Sequence, residues 1–263
     1  MIRERLETLD GLVCDLDGVL YRGDRPIDGA AATIDRLRER GVRVVFCTNN
    51  SRSTPGQYVE KLRAIGVHTD PEDIVTSALV TAESVRDRGF SGKTAIVVGG
   101  DGIRKALGEV CVSVKDESEV TRSDLVVVGW DPGFDYARMK RAADAVRNGA
   151  VFIATNTDAS FPAADGLWPG AGAILASIET ASGRRAEVMG KPHPPMLEML
   201  KRKLAGCNNV AWVGDRADTD LQGAHRMGWL SILVLSGVTS AEDARKVSPK
   251  PDLTIGSLAD LLG

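Results

Sequence analysis

Apolar positions along this chain fall into two kinds of run. Short blocks of Val, Ile and Leu are each followed by a polar turn, and between them lie stretches whose apolar residues recur at helical spacing. Unbroken apolar blocks read as strands covered on both faces, and their alternation with helix-period segments predicts a parallel α/β sheet. "GLVCDLD" is the first strand. "GAAATIDRLRERG", with Ile34 and Leu37 at helical spacing, predicts a helix closed by Gly41, and "VRVVFCT" a second strand. "PGQYVEKLRAIG" reads as another glycine-closed helix and "DIVTS" as a short third strand. "TAIVVGG", "SDLVVVGWD" and "AVFIATNTD" follow as strands, separated by helices such as "ARMKRAADAVRNG". "NNVAWVGD" and "LSILVLSG" end the series, with "AHRMG" finishing the helix between them.

Open α/β sheets carry their sites at the carboxyl ends of strands. Polar residues stand directly beyond a strand in "VVFCTNNS" and again in "VAWVGDRADTD", two stretches that bracket the middle of the chain. A self-contained insert between two parts of one core explains that bracketing. The sequence therefore predicts a core built from 1–79 and 186–263, with an inserted α/β domain over 80–185.

A length of 263 residues with 43% hydrophobic positions is enough to fill two cores. The net charge of −3 and an aromatic content of 5% argue against a nucleic-acid partner. Cys14, Cys47, Cys111 and Cys207 are dispersed and form no C-x-x-C pair, so they read as reduced core thiols of a cytoplasmic protein. The start, "MIRERLETLD", lacks the apolar region of a signal peptide, and no stretch approaches the roughly 20 apolar residues that span a bilayer, so no membrane partner is expected.

Against this background the stretch "LVCDLDGVLYRG" is unusual, because Asp15 and Asp17 interrupt an apolar run. Taken alone, Asp17-Gly18 reads equally well as a hairpin turn. That turn leaves Asp15 unexplained. Two carboxylates two residues apart on extended chain point the same way and repel by roughly 4 kcal/mol at an effective dielectric of 20, so a cation or a shared proton is required. Three further features have ordinary readings of their own: Thr48 and Asn49 as a helix cap or Asx turn, Lys191 as a solvated charge, and any one of Asp215, Asp218 and Asp220 as a cap. Three acids in one turn exceed what capping needs. Together the features supply a carboxylate pair, a hydroxyl with an amide, a lysine and a second acid cluster. Oxygen ligands without a histidine or cysteine set imply a hard cation, Mg²⁺ before Zn²⁺. Lysine and hydroxyl donors beside it suit a phosphoryl group, leaving Asp15 to attack phosphorus and Asp17 to serve as acid and base.

These residues resemble the haloacid dehalogenase-like phosphatases, in the group with a large α/β cap between the second and third motifs: the nitrophenyl-phosphatase, phosphoglycolate phosphatase and pyridoxal phosphatase-like proteins. "DLDGVLYRG", "TNNS", "GKP" and "VGDRADTD" stand in the order of that family's four motifs, and "TNTDASFPAADGLWPGAGAILASIETASGR" is similar to its cap. Val19 stands where many members carry threonine. The resemblance implies a Rossmann-like core with a parallel sheet of order 3-2-1-4-5 plus the inserted cap. It makes Asp15 the nucleophile of an aspartyl-phosphate intermediate and Asp17 the acid and base. Mg²⁺ would be held by Asp15, the Asp17 backbone carbonyl and Asp215, with Asp220 in support. Thr48 and Lys191 would bind the phosphoryl group, with Asn49 beside them. Asn156, Asp158 and Phe161, in a cap loop, are the candidates for substrate selectivity, and pairing through the cap would make a homodimer.

The function expected is thus Mg²⁺-dependent hydrolysis of a small phosphomonoester such as a polyol, sugar or glycolate phosphate. A nucleotide monophosphatase on the same scaffold is the alternative enzyme, with a phosphomutase behind it. From another class, receiver-like signalling proteins also surround a phosphorylated aspartate with acids, a hydroxyl and a lysine, but they are single small sheets with no insert. "VVGGDG" and "PGAGA" complete no dinucleotide fingerprint and read as turns. His68, His193 and His225 are scattered and read as incidental.

Overall fold

Leu12, Val13 and Cys14 are fully buried, as an unbroken apolar block requires. The structure is a computed structural model that describes residues 2–115, 122–163 and 166–262. In chain order the strands of its two main sheets are β1 (Gly11–Cys14), β2 (Arg43–Thr48), β3 (Ile74–Thr76), β4 (Thr94–Val98), β5 (Ser113–Val114), β6 (Leu125–Val128), β7 (Val151–Ala154), β8 (Glu187–Val188), β9 (Val210–Gly214), β10 (Leu230–Val234) and β11 (Leu253–Ile255). The chain packs into two compact units. The first comprises Met1–Thr48, Pro55–Val75 and Leu197–Gly263, the second Asn49–Thr54 and Thr76–Met196.

In the first unit the sheet order is β11-β10-β9-β1-β2-β3. Numbered within this core, that is 3-2-1-4-5 with a sixth strand at the edge. The extra strand, Leu253–Ile255, is half-exposed and three residues long, too short to carry a periodic signal. Parallel pairing aligns Cys14 with Phe46 on one side and Val213 on the other. Leu12, Ile34, Phe46, Leu62, Val213 and Ile232 belong to one buried apolar cluster, so the predicted helices (observed at Ala30–Glu39 and Pro55–Ala64) contribute to the same core as the strands.

The second unit is a five-stranded parallel sheet of order β8-β7-β6-β4-β5. Its core gathers Ile96, Val126, Phe152, Ala142, Ile174 and Ile178 from strands and from the helices Tyr136–Arg147 and Ala171–Ser182. The insert expected over 80–185 lies inside this unit, which also takes in 49–54 and the "GKP" stretch. "PGAGA" is more than a turn. Pro169 ends a two-stranded ribbon of Ser160–Ala163 with Gly166–Pro169, and Ala171 starts the helix. A Cβ on Gly170 or Gly172 would stand 2.2 Å from the Asp158 oxygen or 2.4 Å from that of Thr157, so the small residues serve a close backbone approach. No described helix is long and apolar enough to cross a membrane.

Candidate active site

The strand order of the first unit reverses between β1 and β9, and open α/β sheets form their sites at the carboxyl ends of strands where the order reverses. Asp15 follows β1, and its N–H donates to the Val213 carbonyl at 3.0 Å. Asp215 follows β9, and Thr48 is the last residue of β2. A single π-type turn, Ala217–Leu221, then brings Asp220 back towards the sheet. One oxygen from each of Asp15, Asp215 and Asp220 lies within 4.8 Å of the others, and all three residues are buried. At that spacing, each pair of charges repels by roughly 3 kcal/mol at an effective dielectric of 20. An all-oxygen, buried trio of this kind fits a hard divalent cation. Asp218 does not join it: its side chain is 71% exposed and lies 3.4 Å from Arg216. The Asp17 carboxylate is also outside the trio.

The Asp215 carboxylate is fixed by a loop that sequence reasoning did not single out. Val238 N–H donates to its Oδ2 at 2.7 Å, and the Thr239 hydroxyl donates to its backbone oxygen. Two glycines make room. A Cβ on Gly18 would stand 2.3 Å from Asp215 Oδ2, and one on Gly237 only 2.0 Å away. Gly18 also has φ +82°, a conformation that costs an L side chain. The two loops are tied together, because Ser236 Oγ donates to the Gly18 carbonyl at 2.7 Å and the Arg22 guanidinium donates to the carbonyls of Ser236 and Gly237. The signal was available: "VLSGVT" places small and polar residues directly beyond a strand, as the two recognised stretches do.

Asp17 begins a tight loop in which Gly18 N–H donates to Tyr21 O at 2.7 Å. The hairpin turn lies further on, at Gly23-Asp24 between Arg22 and Arg25. Tyr21 is fully buried. Burial pushes its phenol well above the ordinary range, and the negative charge of Asp17 adds to the shift. Lys61 Nζ sits 3.7 Å from the centroid of the same ring.

The second unit holds the other candidates in a buried polar network. Lys191, Asn49 and Asn156 are 2%, 4% and 3% exposed, so the lysine is not a solvated surface charge. Asn49 Oδ1 accepts from Lys191 N–H at 2.7 Å, and Asn49 Nδ2 donates to Lys191 O at 3.2 Å and to Asp158 Oδ1 at 3.0 Å. Asn49 O accepts from Ser77 Oγ at 2.6 Å and from Asn156 Nδ2 at 2.8 Å. Ser51 and Thr155 share a buried hydroxyl contact at 3.0 Å. Phe161 stacks on Trp130 with ring centroids 4.5 Å apart, and Arg52 lies 5.3 Å from the Trp130 ring centroid. Packing therefore accounts for much of the Phe161 position.

The fold and the carboxylate trio define a class, and comparison with known proteins agrees. A family model described as haloacid dehalogenase-like hydrolase matches residues 12–112, and one described as HAD-hydrolase-like matches 188–261. This chain belongs to the haloacid dehalogenase-like hydrolases. It is 37% identical over 254 residues to an acid sugar phosphatase of Staphylococcus haemolyticus, covering 96% of this chain and 95% of that one. A 4-nitrophenylphosphatase of Thermotoga maritima superposes with a TM-score of 0.88 at 34% identity, over 98% of this chain and 97% of the other. A glycerol phosphate phosphatase of Mycobacterium tuberculosis, solved in complex with magnesium, gives 0.87 at 31% identity, over 98% and 77%. Within the superfamily the chain falls in the nitrophenylphosphatase-like subgroup and is a phosphoric monoester hydrolase acting on small phosphorylated substrates.

Proposed function

We propose that this enzyme is a Mg²⁺-dependent phosphatase that hydrolyses a polyol, sugar or glycolate phosphate through an aspartyl-phosphate on Asp15. The observation that carries the reading is the buried carboxylate trio of Asp15, Asp215 and Asp220. The names of its relatives, acid sugar phosphatase and glycerol phosphate phosphatase, support the substrate class. Asp15, Asp215 and the Asp17 carbonyl would hold the ion with Asp220 in support, and the bound cation would neutralise the carboxylates and the phosphoryl oxygens. A carboxylate oxygen of Asp15 attacks phosphorus as the ester bond breaks, and Asp17 gives its proton to the leaving oxygen. Asp17 then takes a proton from the water that attacks the acyl phosphate, releasing inorganic phosphate and restoring Asp15. Thr48 and Lys191 would bind the phosphoryl group, with Asn49 beside them, and the inserted α/β unit would be the cap that restricts access to small substrates, with Asn156, Asp158 and Phe161 as its selectivity candidates.

The test is phosphate release across a metabolite library, with and without Mg²⁺, for the wild type and for Asp15→Asn. Release should require Mg²⁺ and fall by about 10⁴-fold or more in the folded variant. Near-wild-type release by Asp15→Asn would remove the assigned nucleophile. A preference for nucleoside monophosphates in the same library would give the alternative substrate class.

A further inference from the structure

An asparagine side chain carries two N–H donors and one carbonyl acceptor. At Asn49 both donors are engaged within the second unit, one with Lys191 O and one with Asp158 Oδ1, while the acceptor takes Lys191 N–H. The amide thus grips both peptide groups of one residue, as a neighbouring strand would. The donor and acceptor pattern also fixes the amide orientation, since the reverse assignment would oppose N–H to N–H at Lys191. Gly190 leaves the space this grip needs: a Cβ there would stand 2.5 Å from Asn49 Oδ1 and 2.4 Å from Thr155 O. Asn49 is 4% exposed, and its own carbonyl is held by Ser77 and Asn156.

We propose that Asn49 is a positioning residue, not a donor to phosphate: it sets the backbone of Lys191, and Asp158 acts on phosphate binding through Asn49. This rests on the reading of Lys191 as a phosphoryl-binding group. It reassigns Asp158 from substrate contact to support of the lysine. The sign of its effect separates the two roles. Deleting a carboxylate that touches only the leaving group leaves binding of inorganic phosphate unchanged, and deleting one that faces the phosphate tightens it; deleting support for the lysine weakens it.

The experiment uses full-length enzyme supplied with Mg²⁺ and reads KM and kcat for p-nitrophenyl phosphate together with the inhibition constant of inorganic phosphate, which has no leaving group for a selectivity loop to contact. Asn49→Ala should raise that inhibition constant about tenfold or more, and Asp158→Ala by a smaller factor in the same direction. Adding Asp158→Ala to Asn49→Ala should then cost less than about twofold, because the two act as one unit. Asn49→Asp should be as damaging as Asn49→Ala, and the exchange Asn49→Asp with Asp158→Asn, which swaps donor and acceptor across the same contact, should recover about threefold or more. Additive penalties, a smaller recovery in the exchange, or tighter phosphate binding in Asp158→Ala would each overturn the proposal. If Asn49→Ala does not fold, Asp158→Ala decides alone by the sign of its effect, no change counting against the proposal. Unchanged phosphate inhibition in Lys191→Ala would overturn the lysine's role and this proposal with it. A loss in Lys191→Ala with none in Asn49→Ala would overturn this proposal alone.

Discussion

Asp215 owes its place as much to the atoms missing around it as to those present. Gly18 and Gly237 each bring bare backbone to its carboxylate, and Val238 N–H fixes one oxygen. Gly237→Ala must displace either the loop or the carboxylate. We expect it to weaken Mg²⁺ binding about 10–100-fold, measured by titration calorimetry, while the protein still folds. Unchanged affinity would show that the loop does not orient the acid. At this scale the sequence was informative where chemistry meets strand ends. Asp15, Asp215 and Asp220 stood out because carboxylates directly beyond apolar strands need a counter-charge. Asp218 could not be separated from Asp220 by spacing, since the π-type turn decides which of them faces inward. The grip of Asn49 on Lys191 joins residues 142 positions apart and leaves no local pattern.

Among the elements, a repeated device sets strand register. Asp10, Asp124 and Asp252 each immediately precede a strand, and each accepts hydrogen bonds at the start of a neighbouring one. Asp10 receives Asn208 and Asn209 N–H, both at 2.8 Å. Asp124 receives Thr94 N–H at 2.8 Å and its hydroxyl at 2.7 Å, and Asp252 receives the same two groups of Ser231, both at 2.8 Å. The Thr94 bonds hold the Asp124 carboxyl below the ordinary aspartate range. A depressed folded-state value means that the ionised form stabilises the fold at neutral pH and that this contribution is lost as pH falls through the folded value. Asp124→Asn should therefore lower the urea midpoint at pH 7, and its gap from the wild type should narrow below about pH 4. A gap that widens in acid would contradict the assigned sign. The long apolar strands were plain from sequence because burial on both faces writes an unbroken run. The edge strands β5, β8 and β11, two or three residues each, are held by pairing with their neighbours, with the Asp252 clip beside β11, so composition did not reveal them.

At the scale of the whole molecule, a buried trio of like charges makes stability depend on the ion that answers them. Magnesium at about a hundred times its Kd should add about 2.7 kcal/mol, raising the thermal midpoint, and a chelator should reverse the shift. The Asp215→Asn variant should show a much smaller rise. An equal rise in that variant would place the stabilising ion elsewhere. The expected division into a core and an insert came from a feature visible in sequence, the polar strand ends that bracket the middle of the chain. Its seam was less so: the second unit includes 49–54, a segment separated in sequence from the rest of it.

That discontinuity bears on recombination between relatives. A chimaera spliced at 76 and 196 would graft a donor's insert onto a foreign 49–54, and the contacts of Ser51 with Thr155 and of Asn49 with Asn156 would pair residues that had never shared a protein. Transplanting this unit with its internal contacts intact thus calls for a second, six-residue graft.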